Sequence, residues 1–269
     1  MVHICFRGGA VSGLSAYLGV MTSLQSEGVS LADVADRVSL HSASALIVPF
    51  VMLGHTVTVQ NVSDLWQRLL SSIELVSALE GQQAHLVSRA ECQRVVVEFL
   101  PEYPVHVTLQ ELYDRTGCDV HFGVSIADDD CGFRALYVSH ETHPDMSVWD
   151  ASYASACVPL LFETMTIDGY DVYDGDLACS LEDVDISIGL RPTVVDAHEV
   201  DHLFLAAVLN VSKRFVGRRL VEATHTLEVD CVREFFVDER KLEMIHERGV
   251  ECGVRLAELC RQLDEKKNV

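Results

Sequence analysis

The chain has 269 residues, 49% of them hydrophobic, and a slightly positive mean hydropathy of +0.19. That is enough apolar material for a sizeable core in one large domain or two small ones, and it excludes a disordered tail. A formal charge of −21 excludes a nucleic-acid-binding surface, which must be basic, and excludes strong attraction to an anionic membrane.

The longest apolar run, Ala45 to Leu53, is interrupted by Pro49 and falls far short of the ~20 residues that span a bilayer. The apolar part of Met1–Arg7 is too short for a signal peptide. Nine cysteines are scattered singly with no Cys-x-x-Cys pair, so buried free thiols in a reducing compartment are expected, not zinc or disulfides. The expectation is a cytoplasmic protein.

Residues 2–6 form a short buried-strand candidate. Arg7-Gly8-Gly9-Ala10-Val11-Ser12-Gly13 follows, then Leu14 to Glu27 at helical spacing with Gly28 as the stop. A strand, a glycine loop and a helix together offer backbone N–H groups to an anion. Three users of that geometry compete. A P-loop needs Gly-Lys-Ser/Thr, which is missing. A dinucleotide fold, and with it an oxidoreductase, needs an acidic residue closing the next strand, about Arg37 to His41, which runs into His41-Ser42 instead. The third user is an oxyanion hole, which suits a serine arriving on that strand.

Ser39-Leu40-His41-Ser42-Ala43-Ser44-Ala45-Leu46 reads as a strand turning sharply into a helix around Ser42. The usual elbow is Gly-x-Ser-x-Gly, and here Leu40 and Ser44 occupy the glycine positions. Ser44 is a rival nucleophile by position. His41 neighbours Ser42 but points to the opposite face of a strand, so it reads as structural. Gly13-Leu14-Ser15-Ala16-Tyr17 looks like half an elbow, but lacks the turn at its serine. Pro49 should kink or end the helix after Ser42.

Val62 to Glu80, Ser88 to Leu100 and Leu109 to Thr116 read as scaffold helices, the last capped by Thr108. Val120 to Ile126 and Phe133 to Ser139 alternate as strands, joined by Asp128-Asp129-Asp130-Cys131-Gly132, a turn that needs no metal. Met146 to Cys157 reads as a helix and Phe162 to Ile167 as a strand. Asp174-Gly175 then closes a short strand at a tight turn, a place where a carboxylate can act as base or orienter. Glu163 to Asp201 holds eleven acidic residues and one basic one, Arg191; without a calcium-loop pattern it reads as a solvated face. Leu203 to Val211 is apolar, Lys213 to Glu222 reads as a basic helix, His225 to Val229 as a strand, and Arg240 to Leu263 as an amphipathic helix. With no linker or repeat, residues 1–269 read as one domain.

Taken together, these stations resemble the patatin-like phospholipase family. Gly8-Gly9-Ala10-Val11-Ser12-Gly13 is similar to its Gly-Gly-Gly-x-Arg-Gly loop, and Ser42-Ala43-Ser44-Ala45-Leu46 to its Ser-Ala-Gly-Ala-Leu elbow. Ala151-Ser152-Tyr153-Ala154-Ser155 through Pro159 and Phe162 looks like its Ala-x-x-Ala-Ser-x-x-x-Pro-x-x-Phe helix, leading to Asp174-Gly175, where the family has Asp-Gly-Gly or Asp-Gly-Ala. Ile245 to Leu259 is similar to its closing helix. The resemblance implies a three-layer α/β/α fold with a central, mostly parallel sheet. It implies a lipid acyl hydrolase with a Ser42–Asp174 dyad, an oxyanion hole from Gly8, Gly9 and Ala10, and no metal or cofactor. The implied partner is a lipid or small ester, with peripheral membrane contact. The departures are Ala10 for the third glycine, Ser12 for arginine, and Leu40 and Ser44 at the elbow. They raise the alternative of a weak or inactive member that binds lipid or a protein partner without turnover. A left-handed Ala10 would cost about 1–2 kcal/mol, and a Cβ at Ser44 is expected to push the elbow off its packing partner.

Overall fold

The structure, a computed structural model, describes residues 2–72, 85–128, 132–178, 180–193, 220–232 and 238–267. The elements run β1 (His3–Phe6), α1 (Ala10–Ser26), α2 (Leu31–Val34), β2 (Arg37–His41), α3 (Ala43–Met52), α4 (Val59–Ser71), α5 (Arg89–Phe99) and α6 (Leu109–Thr116). They continue with β3 (Asp119–Asp128), β4 (Gly132–Val138), α7 (Val148–Ser155), β5 (Met165–Ile167), β6 (Tyr170–Asp174), β7 (Ser180–Thr193), β8 (Leu220–Val232) and α8 (Glu239–Lys267). One sheet has the order β5-β6-β3-β2-β1-β7-β8, with β4 also on β3. The four pairings from β3 through β2, β1 and β7 to β8 are parallel, and β4, β5 and β6 add an antiparallel end. The fold is therefore α/β with a mixed, mostly parallel sheet flanked by helices, as the sequence leads one to expect.

The expected Thr108 cap holds, and other local features follow from neighbouring residues. Ser88 and Thr108 cap α5 and α6 through their side chains, the latter in a reciprocal box with Glu111. Asp168 (φ 52°) and Gly169 (φ 84°) supply the two left-handed residues of the tight β5–β6 turn. Ahead of β2, Leu31–Val34 form one helical turn, α2, opened by a Ser30–Asp33 capping box.

Other expectations need correction. The helix α1 begins at Ala10, so Ala10–Gly13 of the glycine loop is already helical. The strand β7 passes through the segment read as a solvated acidic face. Val184, Ile186 and Ile188 are buried there and pack in the sheet between β1 and β8, while Asp183 is exposed and Asp185 half-buried. A bulge with Asp183 at φ 57° interrupts its pairing with β8. Leu220–Glu222 are strand, not helix, because the alternation of Leu227, Val229 and Cys231 extends toward them. Residues 73–80 of the expected long helix, Asp129–Cys131 of the turn, Leu203–Val211 and Lys213–Arg219 lie outside the described residues.

Pro49 does not end α3, which runs on to Met52. The proline has no N–H to give to the carbonyl of Ala45. That oxygen is instead taken by the Ser152 hydroxyl of α7, which donates to it at 2.7 Å, while the Tyr103 hydroxyl donates to Leu46 O at 3.0 Å. Tertiary partners thus replace the missing helical bond.

The helix α1 is buried from Val11 to Met21 and meets α8 backbone to backbone. Cβ atoms added at Gly19, Gly249 and Gly253 would lie 2.2 Å from His246 O, 2.1 Å from Ala16 O and 2.7 Å from Val20 O. The Ser15 hydroxyl donates to Leu242 O at 2.6 Å across the same contact. Gly249→Ala raises intrinsic helix propensity by about 1 kcal/mol, yet it should lower the melting temperature, with a net loss of about 1–3 kcal/mol from overpacking. A melting temperature that rises would mean that the two helices part to admit the methyl group.

Candidate active site

Ser42 sits at the tip of β2 with φ 55° and ψ −122°, an elbow that a non-glycine residue holds only under constraint. Three bonds supply the constraint. Its N–H donates to Ser155 Oγ at 3.0 Å, its carbonyl accepts from Ala45 N–H at 2.9 Å, and its hydroxyl donates to Asp174 Oδ2 at 2.6 Å. The last distance is that of a charge-assisted O–H···O⁻ bond.

Asp174 ends β6 and is 4% exposed. Its N–H donates to Cys157 O at 2.8 Å, its carbonyl accepts from Ser125 Oγ at 2.8 Å, and its Oδ1 accepts from Asp176 N–H at 2.8 Å. The carboxylate is therefore fixed on one oxygen by the following turn and offers the other to Ser42.

The residue replacing the second elbow glycine is absorbed without displacing the turn. Ser44 is fully buried, and its hydroxyl accepts from His41 N–H at 2.8 Å and lies within donating distance of Phe6 O (3.0 Å) and His41 O (2.9 Å). It ties β1 to the elbow and faces away from the cavity described below, so it is not positioned as a nucleophile. His41 also faces away. Its Nδ1 lies 3.3 Å from Phe6 O, its Nε2 3.3 Å from the Tyr137 hydroxyl, and its ring fills the space over Gly123.

The glycine loop lies directly against the elbow: a Cβ on Gly8 would fall 3.0 Å from Ser42 Cβ. Ala10 does adopt the left-handed conformation, with φ 50°. The Tyr17 hydroxyl donates to Arg7 O and anchors the loop from beneath; burial holds that phenol well above its usual range, so it stays a donor. The three loop residues are not equivalent. Gly8 N–H points to Asp176 Oδ1 at 3.4 Å, whereas the N–H groups of Gly9 and Ala10 have no hydrogen-bond partner among the described residues. Two donors at the N-terminus of α1 thus stand open for an anion. The sequence reading missed Ser155, although it lies in the Ala151–Ser155 motif, and missed Asp176, which stands where a Gly or Ala follows Asp-Gly in the resemblance.

An apolar cavity runs from Ser42 between α1, α3, α4, α5 and the α7–β5 segment, with about 930 Å³ of space, its open mouth included. Leu14, Ile47, Leu65, Trp66, Val96 and Tyr153 are among its walls. Cys92 lines it too, and burial pushes that thiol up to about 12, which keeps it neutral. Among the described residues no group of three or more His, Cys, Asp or Glu side chains is placed to hold a metal ion, and no helix is long and apolar enough to cross a membrane.

A family model described as patatin-like phospholipase matches residues 4–180. No curated protein matches the chain. Among solved structures, VipD from Legionella pneumophila is similar at a TM-score of 0.52 and 12% identity, over 95% of this chain and 66% of that one. ExoU, in its heterodimeric complex with SpcU from the type III secretion system of Pseudomonas aeruginosa, is similar at a TM-score of 0.49 and 15% identity, over 97% of this chain and 52% of that one. The chain therefore spans just under two thirds of the VipD chain and about half of the ExoU chain, and at these identities the likeness to VipD is one of fold. The family match covers well over half of the chain and takes in β1, the glycine loop, the elbow and Asp174, and the chain belongs to the patatin-like phospholipase family.

Proposed function

We propose that the chain hydrolyses carboxylic esters of lipids, with Ser42 as nucleophile and Asp174 as its base. The observation that carries this reading is the buried 2.6 Å bond from Ser42 Oγ to Asp174 Oδ2, made by a serine that lines an apolar cavity. The walls of the cavity are almost wholly apolar, which suits an acyl chain.

In this mechanism Ser42 Oγ attacks the ester carbonyl carbon as its proton passes to Asp174 Oδ2. The carbonyl oxygen becomes an oxyanion held by the N–H groups of Gly9 and Ala10, one such donor being worth about 2.7–4 kcal/mol. Collapse of the tetrahedral adduct breaks the ester C–O bond, and the departing alcohol takes the proton from Asp174. Water then attacks the acyl-serine, gives its proton to Asp174 and releases the fatty acid, and Ser42 recovers its proton. No histidine, metal or cofactor takes part in these steps.

A second reading, lipid or partner binding without turnover, has one observation in its favour. Asp176 accepts from Gly8 N–H, so a second carboxylate borders the loop where negative charge would grow.

A fluorophosphonate probe with peptide mass spectrometry separates the two. The expected result is label on Ser42, none in Ser42→Ala, and labelling slowed at least ~100-fold in Asp174→Asn. A folded protein that takes no label on Ser42 sinks the hydrolase and leaves the binding protein. Ser44→Gly, which restores the family's elbow glycine, should not speed labelling. It should instead lose about 1–3 kcal/mol in denaturant titration, because the bonds of the buried Ser44 hydroxyl to His41 N–H and to Phe6 O are lost with it. Faster labelling would show that the serine does distort the elbow.

A further inference from the structure

Leu160 breaks two local rules at once. It is 52% exposed, and its φ is 67°, a left-handed conformation that disfavours a leucine by about 1–2 kcal/mol. Glycine or asparagine at this position would relieve both. The conformation is nevertheless fixed from two directions. Leu86 N–H donates to the carbonyls of Leu160 (3.1 Å) and Leu161 (3.2 Å), and Val87 N–H donates to Leu161 O at 2.9 Å. The N–H groups of Leu161 and Phe162 both turn back to Val158 O, at 3.2 and 3.1 Å. The side chain is held outward on a rigid loop.

Its place in the fold gives that exposure a direction. Val158, Leu161 and Phe162, on either side of Leu160, line the same cavity as Ser42. The lining residues that reach solvent are Ala10, Leu46, Ala156, Val158 and Phe162, so they mark the mouth. Leu160 therefore stands on the rim. Among the described residues, the charges at Glu163 and Arg89 are tied back: the Glu163 carboxylate accepts from Arg89 N–H at 2.8 Å, and the Arg89 guanidinium pairs with Asp150.

We propose that the Val158–Phe162 loop is the edge by which the protein docks on a lipid surface of no net charge, with Leu160 inserted among the acyl chains. A protein docked on this rim would close the mouth, whereas a lipid layer would place acyl chains at the entrance of an apolar cavity. The formal charge of −21 sets the charge preference, since anionic lipid would repel the chain. The inference rests on the hydrolase reading for its purpose, and its test reads binding without turnover.

The test is co-sedimentation of the full chain with phosphatidylcholine vesicles. The wild type and Ser42→Ala should bind alike, so a failure of hydrolysis and a failure of docking are read separately. Leu160→Asn should bind at least about tenfold more weakly, as loss of one buried leucine contact predicts. Its melting temperature should not fall, because asparagine tolerates the left-handed conformation. Leu160→Trp should bind, and brominated acyl chains should quench its emission beyond the background from Trp66 and Trp149. Equal binding by the wild type and Leu160→Asn, no binding by the wild type, or no added quenching in Leu160→Trp would each overturn the docking edge. Binding that strengthens as phosphatidylglycerol is added would overturn its charge preference.

Discussion

The site depends on the register along one edge of β3. On that edge β2 pairs in parallel up to His41 opposite Gly123, and β6 takes over antiparallel with Asp174 opposite Val124. Two strand ends therefore meet tip to tip on consecutive residues of a third strand. The residue after His41 is Ser42, and the last residue of β6 is Asp174, so their side chains come together with no further device. Gly123 makes the junction close. A Cβ there would strike the His41 ring at 2.3 Å, and a Cβ on Gly175 would strike Gly123 O at 2.0 Å. A slip of one residue in either pairing would turn every side chain of that strand to the other face and separate the pair.

The short helix α7 and the residues after it hold this junction from outside the sheet. Ser152 satisfies the Ala45 carbonyl that Pro49 leaves open in α3, Ser155 accepts the Ser42 N–H, and Cys157 O accepts the Asp174 N–H. One segment thus braces the helix behind Ser42, the strained elbow and Asp174. Such bracing is what a residue at φ 55° requires if it is to stay there, since the strain is relieved as soon as its partners let go. The elbow's departures from glycine are tolerated by the same logic. Ser44 brings a Cβ, and also a hydroxyl that finds backbone partners on β1 and β2.

Chemistry and access are arranged on different elements. The polar groups sit at strand tips and at the N-terminus of α1, where open backbone donors and low exposure make each hydrogen bond count for more than in water. The cavity walls come from helices whose apolar faces would otherwise meet each other. Where the walls reach solvent, the α7–β5 loop carries an exposed leucine in a conformation that costs energy.

The sequence by itself determined the local backbone: the strand-to-helix turn at Ser42, the cap at Thr108, the stop at Gly28 and the turn after Asp174. Each follows from the preferences of a few adjacent residues. It also determined the family, because the motifs recur in order along the chain. It hid β7, whose inward Val184, Ile186 and Ile188 were outweighed by the acids at 182, 183 and 185, and it overstated Pro49, because the Ala45 carbonyl it leaves open finds a partner 107 residues away. Only the tertiary structure decided that Ser42 and Asp174, 132 residues apart, lie within one hydrogen bond, that Ser155 supports the elbow, and that Gly8 differs from Gly9 and Ala10. The physical reason is that a strand's own pattern specifies which face is buried but not which residue of its neighbour it meets. That choice is made by packing the whole sheet, and the site exists only once it is made.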